Sequence, residues 1–328
     1  MRVVVVLICC ALALAAPSAR AQAALGKLPR VQISGREYVR LRDWTKANKF
    51  QVRWLKPGST VEISRGDDRL VLVANSAVAF INGIKVWLSH PVTANASVMY
   101  VSSLDLQTTI QPLVFPAKSS GAKIKLIALD PGHGGRDTGN RVGTQAEKIY
   151  TLLLAQEIRE QLKPQGIKVV LTRATDTFVD LPERPAKARR LNADMFVSLH
   201  FNASAVERNE VRGSEVYCHT PVGASSTNSK GVGADSGSFA GNRFNSQNIL
   251  LAYELQKSLT RKLGVPDRGV RRARFQVLRE ATMPAVLIEA GFMSHPVEGR
   301  KIFDPAYRRQ MARAIVDGIL TYKMSVER

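Results

Sequence analysis

Residues 124–135 read IKLIALDPGHGG, an apolar run that ends in a turn of proline, glycine and histidine. A short apolar run bounded by turn residues is typical of a strand buried in a parallel sheet. A glycine-rich turn after a strand can also bind phosphate, but this one lacks the lysine of a P-loop and the glycine spacing of a dinucleotide site. The pattern predicts that a strand ends here and presents His133 in the turn that follows it.

Downstream of this stretch, apolar runs alternate with segments of helical periodicity. Strands are predicted at residues 167–172, 195–200, 214–219 and 285–288, and helices at 147–162, 181–192, 246–263 and 305–322. The first of these helices is expected to bury Ile149, Leu152 and Leu153. The alternation predicts an α/β domain over residues 124–325, with a mostly parallel sheet flanked by helices. Ligands of such sheets bind outside the carboxyl ends of the strands.

Residues 30–115 have a different texture, with short alternating segments separated by glycine and aspartate turns. This pattern predicts a small β-rich α+β domain in front of the α/β domain. The hexapeptide that starts at Tyr38 recurs in related form at Tyr100, which indicates two related units of a strand followed by a helix. Residues 116–123 are small and polar and are predicted to be an interdomain linker.

The first 21 residues predict a secretory signal peptide. A basic start, an apolar run over residues 3–16 and an Ala-x-Ala ending at Ala21 are its features, and the run is too short to span a bilayer. We therefore expect an exported protein, in the periplasm or at the cell wall, without stable membrane insertion. Cleavage leaves Cys218 as the single cysteine, so an internal disulfide is excluded.

The chain has 328 residues, of which 45% are hydrophobic, so it can bury a core. Its formal net charge is +20, and removal of the predicted signal peptide leaves 45 basic and 27 acidic residues, a charge of +18. Such a charge favours an anionic partner. Export argues against nucleic acid, and aromatic residues, at 6%, are too few to indicate stacking on bases.

Four polar residues stand at the ends of predicted elements. His133 follows the first strand, Glu147 begins a helix, His200 ends an apolar strand, and Glu289 follows residues 285–288. Each has an ordinary alternative; Glu147, for example, is favourable at a helix N-terminus. Together, two imidazoles and a carboxylate form a recurrent Zn²⁺ set that leaves one position for water. The pattern predicts a zinc hydrolase with Glu289 as the residue that handles the water's proton.

Residues 125–323 resemble the zinc-dependent N-acetylmuramoyl-L-alanine amidases of the type-3 amidase family. The resemblance rests on ordered motifs: DPGHGG at 130–135, Glu147-Lys148, a Ser-x-His-x-Asn strand end at 198–202, and MPAVLIEAGF at 283–292. Phe201 and Ala290 depart from the family pattern without touching the ligands. The resemblance implies that His133, Glu147 and His200 bind Zn²⁺, that Glu289 is catalytic, and that the substrate is the amide between N-acetylmuramic acid and L-alanine in peptidoglycan.

Most of residues 30–113 resembles the N-terminal domain first named from copper amine oxidases. This resemblance implies an accessory or binding role and no copper, because His90 is the one histidine in this region. For wall contact we expect Asn202, Arg184 and Arg268, together with Arg271 and Arg272. His219 and His295 are not expected to be ligands, because the resemblance already fills the zinc shell.

Three questions stay open at this point. An exported zinc peptidase of other specificity and a non-catalytic wall-binding protein are the alternative functions. Residues 222–245, rich in serine, glycine and asparagine, are interpreted either as an active-site flap or as a solvated loop. The sequence identifies no activator protein and no stem-peptide preference.

Overall fold

The computed structural model describes residues 25–95, 98–117, 123–227 and 237–327. The predicted signal peptide and residues 118–122 of the predicted linker lie outside the described residues. No described helix is both long enough and apolar enough to cross a bilayer.

The N-terminal domain consists mainly of short antiparallel strands. They are β1 (Arg30–Ile33), β2 (Arg36–Arg40), β3 (Gln51–Lys56), β4 (Thr60–Arg65), β5 (Asp68–Val73), β6 (Val78–Ile81), β7 (Ile84–Trp87), β8 (Thr93–Asn95) and β9 (Val98–Ser102). The helical segments are a 3-10 turn (Leu25–Lys27), α1 (Leu41–Ala47), α2 (Ser103–Asp105), a π-helical turn (Leu106–Ile110) and α3 (Gln111–Val114). The two copies of the repeat predicted at Tyr38 and Tyr100 lie on β2 and β9, which pair antiparallel, and each strand leads into a helix.

The C-terminal domain alternates strands and helices. Its strands are β10 (Leu126–Pro131), β11 (Arg141–Val142), β12 (Gln145–Ala146), β13 (Lys168–Leu171), β14 (Met195–Asn202), β15 (Ser214–His219), β16 (Asp267–Ala273) and β17 (Ala285–Phe292). Its helices are α4 (Glu147–Leu162), α5 (Glu183–Arg190), α6 (Asn245–Leu263), α7 (Gln276–Arg279), α8 (Pro296–Phe303) and α9 (Pro305–Glu327), with 3-10 turns at Lys163–Gln165 and Ala240–Phe244.

One eleven-stranded sheet runs through both domains in the order β13-β10-β14-β17-β15-β16-β7-β6-β5-β4-β3. Its first four strands are parallel, β15 is antiparallel to β17, and β16 is parallel to β15. The step between the domains is a parallel pairing of β16 with β7, at Val270 and Val86. Helices α4, α6 and α9 cover one face of the C-terminal part, and α5 and α7 pack on the other face. The predicted α/β class is confirmed.

Helix α4 has the predicted bounds but buries a different face. Ile149 and Leu153 are exposed, whereas Tyr150, Leu154 and Ile158 lie in the core. The prediction of the buried face was wrong. Apolar residues lie on several faces of the first two turns, so periodicity alone does not identify the buried face.

The described parts of the loop, residues 222–227 and 237–245, lie at the edge of the sheet away from the predicted zinc ligands, and residues 228–236 lie outside the described residues. Because β15 runs against β17, its last residue, His219, lies at the edge of the sheet where the parallel strands begin. Two hydrogen bonds hold the described parts of the loop at this edge. The backbone amide of Thr227 donates to the carbonyl of Arg272, and the side-chain amide of Asn242 donates to the carbonyl of Thr220. The described flanks give no support to the flap interpretation, which stays a prediction for residues 228–236.

Candidate metal centre

The carboxyl ends of β10 and β14 meet the first residue of α4, and this junction brings three predicted ligands together. Ligand atoms of His133, Glu147 and His200 all lie within 4.8 Å of one another. The imidazole rings are 4.9 Å apart at an interplanar angle of 81°. Glu147 Oε2 is 3.1 Å from His133 Nε2, and its Oε1 is 3.0 Å from His200 Nδ1.

Glu147 is held as a buried carboxylate, with its side chain 1% exposed. The backbone and side-chain amides of Asn140 both donate to Oε2 at 2.9 Å, and the backbone amide of Phe201 donates to Oε1 at 3.0 Å. Burial opposes ionisation, but the hydrogen bonds and charges of His133 and His200 outweigh burial and hold the pKa of Glu147 well below its usual value. A fixed negative charge between two imidazoles fits a divalent cation, and zinc accepts this donor set.

His133 occupies a strained turn that orients its ring. Its φ of +62° is in the left-handed region, which residues other than glycine rarely adopt. Asp137 Oδ2 lies 2.8 Å from Nδ1, which leaves Nε2 facing Glu147. Burial alone would lower the pKa of His133, but hydrogen bonds to Glu147 and Asp137 outweigh it and raise the pKa.

Close packing around the imidazoles requires glycine on both sides. A Cβ added at Gly132 would lie 2.2 Å from the His200 ring. One added at Gly139, where φ is +61°, would lie 2.5 Å from the His133 ring and 2.7 Å from a Glu147 oxygen. Both glycines therefore let the backbone approach the predicted ligands.

Arg184 supports the turn that carries His133 instead of contacting substrate. It is 2% exposed, so its predicted wall contact is wrong. Its guanidinium donates to Asp130 Oδ1 at 2.9 Å and to the carbonyl of His133 at 2.9 Å. Asp130 is itself buried and accepts from Thr172 at 2.6 Å and Ser198 at 2.7 Å. Sequence reasoning treated Asp130 as part of a motif and missed this role, because its partners come from distant segments.

Glu289 lies beside His200 on the adjacent strand. The two residues are Cα partners in the pairing of β14 with β17. Within the described residues, Glu289 Oε2 is buried without a hydrogen-bond partner. Burial, and then the nearby carboxylates Glu147 and Glu215, raises the pKa of Glu289 well above its usual value. A raised pKa suits a carboxyl group that accepts and releases a proton during a reaction.

Glu215 is a site residue that sequence reasoning missed. It lies opposite Glu289 across β15 and β17, and it is 3% exposed. Asn202 and Tyr217 donate to its Oε1 at 3.1 and 2.9 Å, and Arg268 donates to its Oε2 at 3.1 Å. The available signal was a glutamate inside an otherwise apolar strand, which needs buried partners. Asn202 and Arg268, both predicted to contact substrate, thus meet at one carboxylate.

The other histidines lie elsewhere. His219 is buried at the opposite edge of the sheet, and His295 caps α8 by accepting from the amides of Val297 and Glu298 at 3.2 and 3.1 Å. Arg272 is also removed from any wall contact, since it is 1% exposed. It donates to the carbonyl of Thr108 at 2.7 Å and so joins the domains.

The family model described as N-acetylmuramoyl-L-alanine amidase matches residues 127–321. The chain belongs to this amidase family. A second model, the copper amine oxidase N-terminal domain, matches residues 22–126.

Three curated amidases are similar to the chain. N-acetylmuramoyl-L-alanine amidase LytC of Bacillus subtilis is 35% identical over 60% of this chain and 35% of LytC. The probable cell wall amidase LytH of Staphylococcus saprophyticus is 32% identical over 67% of this chain and 64% of LytH. N-acetylmuramoyl-L-alanine amidase AmiA of Escherichia coli is 34% identical over 63% of this chain and 78% of AmiA. The chain thus spans about a third of LytC and just under two thirds of LytH.

Two solved amidases share the fold of the C-terminal domain. AmiC2 of Nostoc punctiforme has a TM-score of 0.51 and 32% identity, and the match covers 62% of this chain and 98% of AmiC2. The catalytic domain of CwlV from Bacillus (Paenibacillus) polymyxa has a TM-score of 0.50 and 33% identity, covering 60% of this chain and 97% of that domain. The amidase fold therefore accounts for the C-terminal domain, and the N-terminal domain is additional to it.

Proposed function

We propose that the protein hydrolyses the amide between N-acetylmuramic acid and L-alanine in peptidoglycan. The observation that carries this proposal is the placement of a buried carboxylate, Glu147, between two imidazoles, with Glu289 on the next strand. Membership of the amidase family supports an amide as the cleaved bond, and the names of LytC and AmiA support the identity of the substrate.

His133, Glu147 and His200 would hold Zn²⁺, and Asp137 would fix the orientation of the His133 ring. Zinc bound here would polarise the scissile carbonyl and lower the pKa of a water molecule. Glu289 takes the proton of the attacking water and delivers it to the departing alanine nitrogen. Its buried Oε2 and raised pKa suit a group that must hold this proton between the two steps.

Export to the periplasm or cell wall is part of the proposal. The pattern of residues 1–21 supports it, and the match to the N-terminal domain model begins at residue 22, directly after the predicted cleavage site. The name of the relative LytH, probable cell wall amidase, points to the same location. We propose residues 30–115 as an accessory domain, 116–123 as the linker and 124–325 as the amidase domain.

Two substitutions separate metal binding from proton transfer. We expect Glu289→Gln to keep about one zinc per chain while peptidoglycan hydrolysis falls at least about 100-fold, because general acid–base catalysis contributes factors of this size. Glu147→Ala should lose both zinc and activity. Glu160→Gln, an exposed glutamate late on α4, is the matched control. Zinc content by mass spectrometry and hydrolysis of purified peptidoglycan are measured together.

Full activity of Glu289→Gln would remove that residue from catalysis. A Glu147→Ala variant that kept zinc and activity would remove Glu147 from the metal site. Retention of zinc and wall binding by the unaltered protein without any hydrolysis would favour a non-catalytic wall-binding protein.

A further inference from the structure

A row of polar and aromatic side chains connects the candidate metal centre with the N-terminal domain. It starts at His200 on β14 and continues through Glu289 on β17 and Glu215 on β15, which are successive Cα partners. Arg271 on β16 reaches the same carboxylate, and its guanidinium lies 4.6 Å from the ring centroid of Trp87 on β7. The row thus crosses five neighbouring strands and both domains.

Glu215 forms ion pairs with two arginines next to Glu289. Its Oε2 is 3.1 Å from Arg268 Nε and 2.9 Å from Arg271 Nε, and the two arginine side chains are 31% and 15% exposed. Each guanidinium also lies over an aromatic ring, Arg268 over Phe292 at 4.8 Å and Arg271 over Trp87. One carboxylate neutralises one of the two guanidinium charges, so one positive charge remains in this partly exposed pair, next to Glu289.

The N-terminal domain contacts β16, the strand that carries both arginines. Trp87 Nε1 donates to the carbonyl of Arg268 at 3.1 Å, and the amide of Lys85 donates to Asp267 at 2.7 Å. A Cβ added at Gly269 would lie 3.0 Å from Lys85 and 3.1 Å from Trp87, so β7 and β16 are in close contact here. The position of Arg268 and Arg271 therefore depends on Trp87.

We propose that Arg268 and Arg271 bind the free α-carboxylate of the second stem residue, D-glutamate, and that Glu215 and Trp87 are positioning residues. The proposal rests on the proposed amidase function. Strand β16 is two strand spacings from Glu289, about 10 Å. Two residues of extended peptide cover about 7 Å. A carboxylate one residue beyond the scissile alanine therefore falls between Glu289 and the guanidinium groups, which reach back towards Glu215.

The test compares two N-acetylmuramoyl-tetrapeptides that differ at one group: D-glutamate with a free α-carboxylate, or D-isoglutamine, in which it is an amide. For the unaltered protein we expect at least a tenfold higher kcat/KM with the free carboxylate. Arg268→Gln should remove this preference. Trp87→Ala should raise KM for the free carboxylate at least fivefold with little change in kcat, and Trp87→Phe, which keeps a ring under Arg271, should recover part of the loss.

Trp54→Ala is the matched control, because Trp54 lies in the same domain on β3, at the far edge of the sheet. Equal kcat/KM for the two compounds, or a Trp87→Ala variant that affects both compounds alike, would overturn the proposal. Failure of the unaltered protein to cleave either compound or intact peptidoglycan would instead reject the proposed amidase function.

Discussion

His219 couples the stability of the fold to pH through its burial. It lies fully buried at the end of β15, with Arg272 and Arg274 nearby. Burial, and then the charge of Arg274, lowers the pKa of His219 to about 4, whereas an unfolded histidine titrates near 6.5. Between these values the unfolded chain binds a proton that the folded chain does not, so stability falls as pH falls, by up to about 3 kcal/mol.

The variant His219→Phe should lack this sensitivity, because a phenyl ring fills the site without titrating. We expect the free energy of unfolding of the unaltered protein to drop by about 3 kcal/mol more than that of the variant between pH 7.5 and pH 4. Urea unfolding at several pH values measures both curves. Parallel curves for the two proteins would show that the pKa of His219 is the same in the folded and unfolded chain.

At the scale of elements, local sequence pattern predicted bounds better than orientation. The predicted bounds of α4 and β15 agree with the structure, but the buried face of α4 and the direction of β15 were not predictable. An apolar strand has the same pattern in either direction. Strand β16 was not predicted because it carries three arginines, and Glu215, the carboxylate that pairs with two of them, lies on a neighbouring strand.

The contact between the β10 turn and β14 gives a prediction at the same scale. Gly132→Ala places a methyl group against the His200 ring, so the two elements must separate. We expect zinc affinity to fall at least about tenfold, because a displaced ligand weakens the site, while the circular dichroism spectrum is retained. Gly26→Ala, where an added Cβ meets nothing within 4 Å, is the control. Unchanged zinc affinity in Gly132→Ala would exclude His200 as a ligand.

On the scale of the whole molecule, the domains are joined more closely than their sequence textures indicate. One hydrophobic core contains Trp44 and Val86 of the N-terminal domain together with Leu255 and Ile319 of the C-terminal domain. Arg272 adds buried hydrogen bonds to the carbonyl of Thr108 and to the Thr109 hydroxyl, at 2.7 and 3.0 Å. The sequence predicted two domains but not this interface, because its partners lie more than 160 residues apart.

A shared core predicts that the two domains unfold together. All three tryptophans, at positions 44, 54 and 87, lie in the N-terminal domain, whereas α4, α6 and α9 of the C-terminal domain supply most of the helical signal. Tryptophan fluorescence and ellipticity at 222 nm should therefore give the same melting temperature.

Arg272→Met leaves buried hydrogen-bond acceptors unpaired, so it should lower the free energy of unfolding by about 1–3 kcal/mol. Both melting temperatures should fall together. Arg300→Met, at an exposed position, is the control. Two separate transitions in the unaltered protein would contradict the shared core.

The identity of the cleaved bond tests the central claim most directly. Purified peptidoglycan is incubated with the zinc-loaded protein, with and without a chelator, and the products are identified by mass spectrometry. The proposed function predicts stem peptides with a free L-alanine amino terminus, glycan chains of unchanged length, and no release in the presence of chelator. New reducing sugar ends, cleavage within the stem peptide, or release that survives removal of the metal would contradict it.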